Sequence, residues 1–219
     1  MTLSFSFELP PAVTGSVSAA FTHTPAPRRI VVAISDASGA VYGARLLQVL
    51  QGTPGIESHL IVSDAGWDSI EQELNMDCAF IEDMADVVHD LDDIGSPLTS
   101  TAFARGGMVI APCSLGTLAA LAHGLEDNLL TRTADLMLRE RRRLVLLMRE
   151  SPLHLAHLRN MVSVTEMGGI ICPAAPAFEL HPQTVGDIVN HSVARALDLL
   201  EIPHKLMPSG GQGELARAA

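Results

Sequence analysis

Two short segments, residues 35–43 (SDASGAVYG) and residues 112–117 (PCSLGT), put small and hydroxyl-bearing residues directly ahead of a helical pattern. Small residues at a helix start leave backbone N–H groups open to an anion, and the aligned peptide dipoles favour negative charge there. Ser38 adds a hydroxyl to the first segment, and Ser114 is a natural helix cap in the second. Neither matches the dinucleotide pattern GxGxxG, and a tight turn with no ligand accounts for either one alone. Two such turns in one chain are better explained by a shared phosphate-bearing ligand. Basic charge is also concentrated. Seven of the 14 Lys and Arg residues fall between Arg132 and Arg159, whereas residues 46–104 contain none and hold twelve acidic residues. Solvated helix faces paired with Glu140 and Glu150 account for that cluster; so does a small polyanion.

Turns of this kind need a strand before them and a helix after them. Residues 28–35 (RRIVVAIS) read as a strand, and Val41, Leu46, Leu47 and Leu50 have helical spacing across residues 39–50. A second strand over 59–63 leads to a helix over 67–74, and a third over 107–112 to a helix over 115–123. A helical segment from Asp127 or Asn128 to Arg142 follows, then a strand over 143–149, a helix over 152–166 and a short strand over 169–172. A Pro-rich loop, 173–182, precedes a last helix at about 184–200, while 77–104 is acidic and irregular. This alternation predicts an α/β fold, a three-layer Rossmann-like (flavodoxin-like) parallel sheet with helices on both faces. Ligands of such sheets sit at the carboxyl ends of the strands, so the loops after residues 35, 63, 112, 149 and 172 are where a site is expected. Residues 28–202 read as one domain, residues 1–27 as a disordered extension and residues 203–219 as a flexible tail.

Composition excludes several classes. A net charge of −11 argues against a nucleic-acid binder, whose affinity needs clustered cations. No apolar run approaches the ~20 residues of a spanning helix, and residues 1–27 lack the Lys or Arg of a secretory or transit signal. A cytoplasmic protein without membrane insertion is expected. Cys78, Cys113 and Cys172 have neither metal-binding spacing nor an even count, and Cys113 and Cys172 read as small buried hydrophobes. His154, His157, His181 and His191 lack the partners of a metal site, so no metal is expected; Trp67 reads as core.

Residues 36–43 (DASGAVYG), 112–161 (PCSLGTLAALAHGLEDNLLTRTADLMLRERRRLVLLMRESPLHLAHLRNM) and 176–202 (PAFELHPQTVGDIVNHSVARALDLLEI) together resemble the UbiX-type flavin prenyltransferases. The likeness spans about residues 28–202. It implies joining a dimethylallyl group from dimethylallyl phosphate to reduced FMN, giving prenylated FMN for a UbiD-type decarboxylase, in a metal-free homo-oligomer, a dodecamer in homologues. By the same resemblance FMN meets Asp36, Ala37, Ser38, Ser63, Ser114, Leu115, Gly116, Thr117 and Arg132. The prenyl phosphate meets Arg139, Arg149, Glu179 and Arg195, and the catalytic set is Ser38, Glu73, Arg139, Arg149 and Glu150, with Glu150 shuttling a proton. Guanidinium groups placed where phosphate charge develops suit the departure of an allylic phosphate. Three positions depart from the family pattern: Asp36 for Gly, Arg139 for Lys and Glu179 for Tyr. Two other readings stay open, an FMN-binding homologue without prenyl transfer and a flavin-dependent decarboxylase related to the cysteine decarboxylases. The latter use an Asn-bearing PASANT-like turn, which PCSLGT at 112–117 lacks.

Overall fold

A computed structural model describes residues 26–207. Six parallel strands form one sheet: β1 (Arg28–Ile34), β2 (Ile56–Val62), β3 (Val87–His89), β4 (Arg105–Ile110), β5 (Leu144–Met148) and β6 (Ile170–Pro173). Their spatial order is β3-β2-β1-β4-β5-β6. The chain moves outward from β1 to β3, then crosses back to lay β4 on the other side of β1. Strand order therefore reverses between β1 and β4, which opens a crevice at their carboxyl ends.

Helices α1 (Ala40–Gln51), α2 (Asp64–Leu74) and α7 (Val185–Leu199) cover one face, and α4 (Leu115–Ala122), α5 (Leu129–Arg139) and α6 (Leu155–Glu166) the other. Alternation along β1 divides the core. Ile30, Val32 and Ile34 pack with Leu46, Leu47, Val193 and Leu197, while Val31 and Ala33 pack with Leu118, Leu130, Met137 and Val164. Burial on both faces explains why β1, β4 and β5 are nearly continuous apolar runs. At Gly43 the helix lies so close to the sheet that a Cβ would meet the Ala111 carbonyl oxygen at 2.5 Å.

The irregular stretch 77–104 holds more order than its composition indicates. It contains the five-residue α3 (Cys78–Glu82), capped by Asp77, and β3, the sixth strand. A three-residue edge strand is too short for its periodicity to register. Side chains hold it instead: Asp86 accepts hydrogen bonds from the Ser58 amide (2.7 Å) and hydroxyl (2.9 Å), and His89 meets His59 at 2.9 Å and Ser96 at 3.0 Å. The expected extension and tail lie outside the described residues apart from 26–27 and 203–207. Of these, His204 lies 3.0 Å from the Asp198 carboxylate and Leu206 packs on the core. Among the described residues no helix is long and apolar enough to cross a membrane, and no cluster of His, Cys, Asp or Glu could hold a metal ion.

Candidate active site at the carboxyl rim of the sheet

Ser35, the residue after β1, ties two loops together. Its hydroxyl donates to the Pro112 carbonyl (2.9 Å) and accepts from the Ser114 amide (2.8 Å). The loop after β2 joins the same rim, because the Ser63 amide donates to the Ile34 carbonyl at 3.0 Å while its hydroxyl caps α2 at Gly66. Ser35 is 1% exposed and was not among the expected site residues. Its one signal in sequence is a hydroxyl closing an apolar strand, where burial demands partners.

At the start of α4, Ser114 Oγ accepts from the Thr117 amide (3.0 Å) and lies 3.0 Å from the Thr117 hydroxyl. The first amides of a helix have no intrahelical acceptor. Those of Leu115 and Gly116 have no partner among the described residues, and the nearest atom to a Cβ built on exposed Gly116 is Ser114 Oγ, at 3.7 Å. Two amides without a partner thus open α4 at exposed Gly116, beside the paired hydroxyls of Ser114 and Thr117.

The start of α1 differs from expectation. Gly39, at a φ of +112° that disfavours side chains, turns its amide and that of Ala40 onto a carboxylate oxygen of Glu73, at 2.7 and 3.0 Å. Glu73 comes from the last turn of α2, far away in sequence, and it already fills the place where an external anion was expected. Desolvation pulls its pKa up, but the Ser38 side chain, the two amides and the nearby Arg149 outweigh it and hold the carboxyl below its ordinary value. Arg149, just past β5, donates from Nε to the Ser38 carbonyl at 2.9 Å, and its Nη2 stands 3.9 Å from Glu150. Ser38, Glu73, Arg149 and Glu150 therefore share one corner. Asp36 and Ala37 border it, with Asp36 exposed.

The remaining expected residues make no hydrogen bond or ion pair with that corner among the described residues. Arg132 and Arg139 flank Glu126 at 3.8 and 3.9 Å, and Arg139 also meets Asp135 at 3.5 Å. Arg139 ends α5, and its neighbour Glu140 pairs at 2.7 Å with Arg105, the first residue of β4. That is the amino end of the sheet, roughly 20 Å from the rim given the ~3.3 Å rise of each residue in β4. Within one chain Arg139 and Arg149 accordingly stand at opposite ends of the sheet, because α5 runs antiparallel to the strands and carries its last turn away from their carboxyl ends. Arg195 lies on α7, 3.5 Å from Asp198, and lines an edge cleft of about 350 Å3 with Cys172, Pro173 and His191. Glu179 is exposed in a short 3-10 turn, Phe178–Leu180. Cys113 is fully buried and its thiol is pushed far up by desolvation. Cys172 is shifted the same way by desolvation, against the opposing pull of Arg195.

The model of the Flavoprotein family matches residues 12–197. The flavin prenyltransferase UbiX of Salmonella typhimurium is 46% identical over 176 residues, covering 80% of this chain and 93% of its own. The crystal structure of AnUbiX (PadA1) in complex with FMN and dimethylallyl pyrophosphate superposes with a TM-score of 0.78 at 43% identity, covering 80% of this chain and 93% of that one. A dodecameric FMN-dependent UbiX-like decarboxylase from Escherichia coli O157:H7 gives 0.79 at 40% identity, over 80% and 95% of the two chains. With the family model matched from residue 12 to residue 197 and relatives of this identity spanning most of both chains, the chain belongs to the flavoprotein family and, within it, to the UbiX-type flavin prenyltransferases.

Proposed function

We propose that this chain joins the dimethylallyl group of dimethylallyl phosphate to reduced FMN, releasing phosphate and giving prenylated FMN for a UbiD-type decarboxylase. One observation carries the reading: an open helix start at α4 and a corner of one arginine and two carboxylates occupy the same rim of the sheet. The donor set suits a flavin phosphate, since free amides, the Ser114 and Thr117 hydroxyls and a helix dipole are what a phosphate dianion needs. Ser114, Leu115, Gly116 and Thr117 hold that phosphate, while Ala37, Ser38 and Ser63 line the rest of the flavin pocket. Bound reduced FMN supplies the nucleophilic ring to which the prenyl group is attached.

The chain's own part is electrostatic. Arg149, anchored through Nε to the Ser38 carbonyl, keeps its terminal nitrogens for the negative charge that grows as the allylic C–O bond breaks. Glu150, 3.9 Å from that guanidinium, holds the proton exchanged with the departing phosphate. Glu73 stays ionised and fixes Ser38, Gly39 and Ala40. Asp36 adds its charge beside a helix start that Glu73 has already filled, so it burdens flavin phosphate binding less than its place in the turn indicates.

Arg139, at the amino end of the sheet, reaches a donor phosphate only from another subunit, while Arg132 is assigned to the flavin phosphate and Glu179 and Arg195 to the donor phosphate. A homo-oligomer of the kind its relative forms brings an amino-end arginine of one copy to the carboxyl rim of the next. Arg139 in place of Lys then offers a planar fork, and Glu179 in place of Tyr needs a cation beside it.

The test is anaerobic incubation of the purified protein with reduced FMN and dimethylallyl phosphate, followed by mass spectrometry of the extracted flavin. A gain of one five-carbon prenyl unit is expected, with release of inorganic phosphate. Tightly bound but unchanged FMN would favour the reading in which the chain carries flavin without alkylating it.

A further inference from the structure

The turn between β4 and α4 hangs on one buried hydroxyl. A serine hydroxyl carries one proton to donate and lone pairs to accept with. Ser35, 1% exposed, spends both on the same short stretch: it donates to the Pro112 carbonyl at 2.9 Å and accepts from the Ser114 amide at 2.8 Å. Two further bonds complete the suspension. The Ser35 amide donates to the same Pro112 carbonyl at 3.3 Å, and the Cys113 amide donates to the Leu147 carbonyl of β5 at 2.9 Å. Residues 112–114 are thus strung between β1 and β5, across the end of the strand they follow. Ser114 is also the residue whose hydroxyl caps α4 through the Thr117 amide. By taking the Ser114 amide, Ser35 fixes the peptide plane that leads into the helix. The next two amides, of Leu115 and Gly116, are left without a partner among the described residues.

We propose that Ser35 is a positioning residue for phosphate recognition: its hydroxyl holds the α4 start in the geometry that selects a flavin carrying a terminal phosphate over one without it. This role rests on the FMN phosphate site proposed at α4 and goes beyond it by naming a residue that acts through Ser114. The single hydroxyl proton is committed to Pro112, so Ser35 has no donor of its own for a phosphate. Donors already fixed in place bind an anion without the cost of ordering a loop. Without the bracket that cost returns, and it falls on the phosphate end of the ligand alone. The charged corner is insulated from the hydroxyl. It joins Ser35 through the backbone, the Ala37 amide donating to the Ser35 carbonyl at 2.8 Å, and a change of side chain at this position leaves that acceptor in place.

Ser35→Ala tests this by fluorescence titration of the full chain with FMN and with riboflavin, which lacks the phosphate. FMN is expected to bind the variant about tenfold more weakly, and riboflavin within about twofold of its affinity for the unaltered protein. In prenylation, KM for reduced FMN is expected to rise while kcat stays within about threefold. An unchanged ratio of FMN to riboflavin affinity overturns the proposal, whether neither ligand weakens or both weaken alike, since a serine that only supports the fold loosens the whole pocket. If the unaltered protein binds FMN and riboflavin equally, the phosphate site at α4 falls as well, and that failure is thereby told apart from failure of the Ser35 role. Should Ser35→Ala fail to fold, Ser35→Cys keeps a weaker donor and acceptor at the position and is expected to move the ratio a few-fold in the same direction. No movement overturns the assignment.

Discussion

The starts of α1 and α4 are built from the same parts and are used in opposite ways. Each follows a strand at the switch point of the sheet, each opens with small residues, and each aims its first amides at the carboxyl rim. At α1 a carboxylate of the protein itself, Glu73, takes the amides of Gly39 and Ala40. At α4 the cap is local, Ser114 to Thr117, and it leaves the first two amides without a partner among the described residues. A helix start is therefore only a potential anion site, and a residue from another element decides whether it stays available. The filled start holds a charged corner in shape; the open one is left for a ligand's phosphate.

Making α4 resemble α1 should have the largest effect. Ser114→Asp keeps a good N-cap, so the helix survives, but it places a carboxylate on the donors that the flavin phosphate needs. Repulsion of a dianion at that range is worth on the order of 3 kcal/mol, and FMN affinity should fall about 100-fold. Fluorescence titration of FMN reads this, and thermal melting of the apoprotein should change little. An affinity within a few-fold of the unaltered protein would remove α4 from the phosphate site.

The opposite change empties α1. Glu73→Gln preserves shape and removes charge, so FMN affinity should move by less than about threefold while kcat/KM for prenylation falls about tenfold or more, as expected for a misplaced charged group in the reacting corner. Its pH signature has a definite sign. Because the folded carboxyl titrates below its ordinary value of 4.5, the stability it contributes is present above that value and is lost as pH falls through the depressed one. Urea unfolding should therefore give a stability difference between the two proteins that is flat above about pH 5 and shrinks below it. The stacked pair His59 and His89 provides a control. Desolvation lowers both, against Glu57, Asp86 and Asp93 and alongside Arg29, so each protein weakens as pH drops below 6.5, and that loss cancels in the difference.

Sequence periodicity located five of the six strands and the order of elements around both turns, because long buried runs and helical spacing are local properties. It missed β3, whose three residues are held by Asp86 and His89 rather than by an apolar pattern of their own. The residue types of the corner were legible from family likeness, yet its wiring was not. Nothing near Gly39 in the chain announces that Glu73, 34 positions on, will occupy its amide. The same blindness affects Arg139: its charge is plain in the sequence, but the direction in which α5 runs puts it at the wrong end of one subunit. Ser35 carries little signal of its own, since a hydroxyl at a strand end looks ordinary until the fold buries it between two loops.

The smallest predicted effect separates the two helix starts most directly. Asp36 sits in the α1 turn, exposed, next to the residue whose hydroxyl meets the Ser114 amide. If the flavin phosphate used the α1 amides, replacing this carboxylate by Gly would remove a charge from its immediate surroundings and tighten FMN by about tenfold or more. With the phosphate at α4 the same charge acts through solvent, screened over ~8 Å at physiological salt, and Asp36→Gly should tighten FMN by less than about threefold. That gain should shrink further in 1 M salt, whereas the loss caused by Ser114→Asp, made at contact, should persist there.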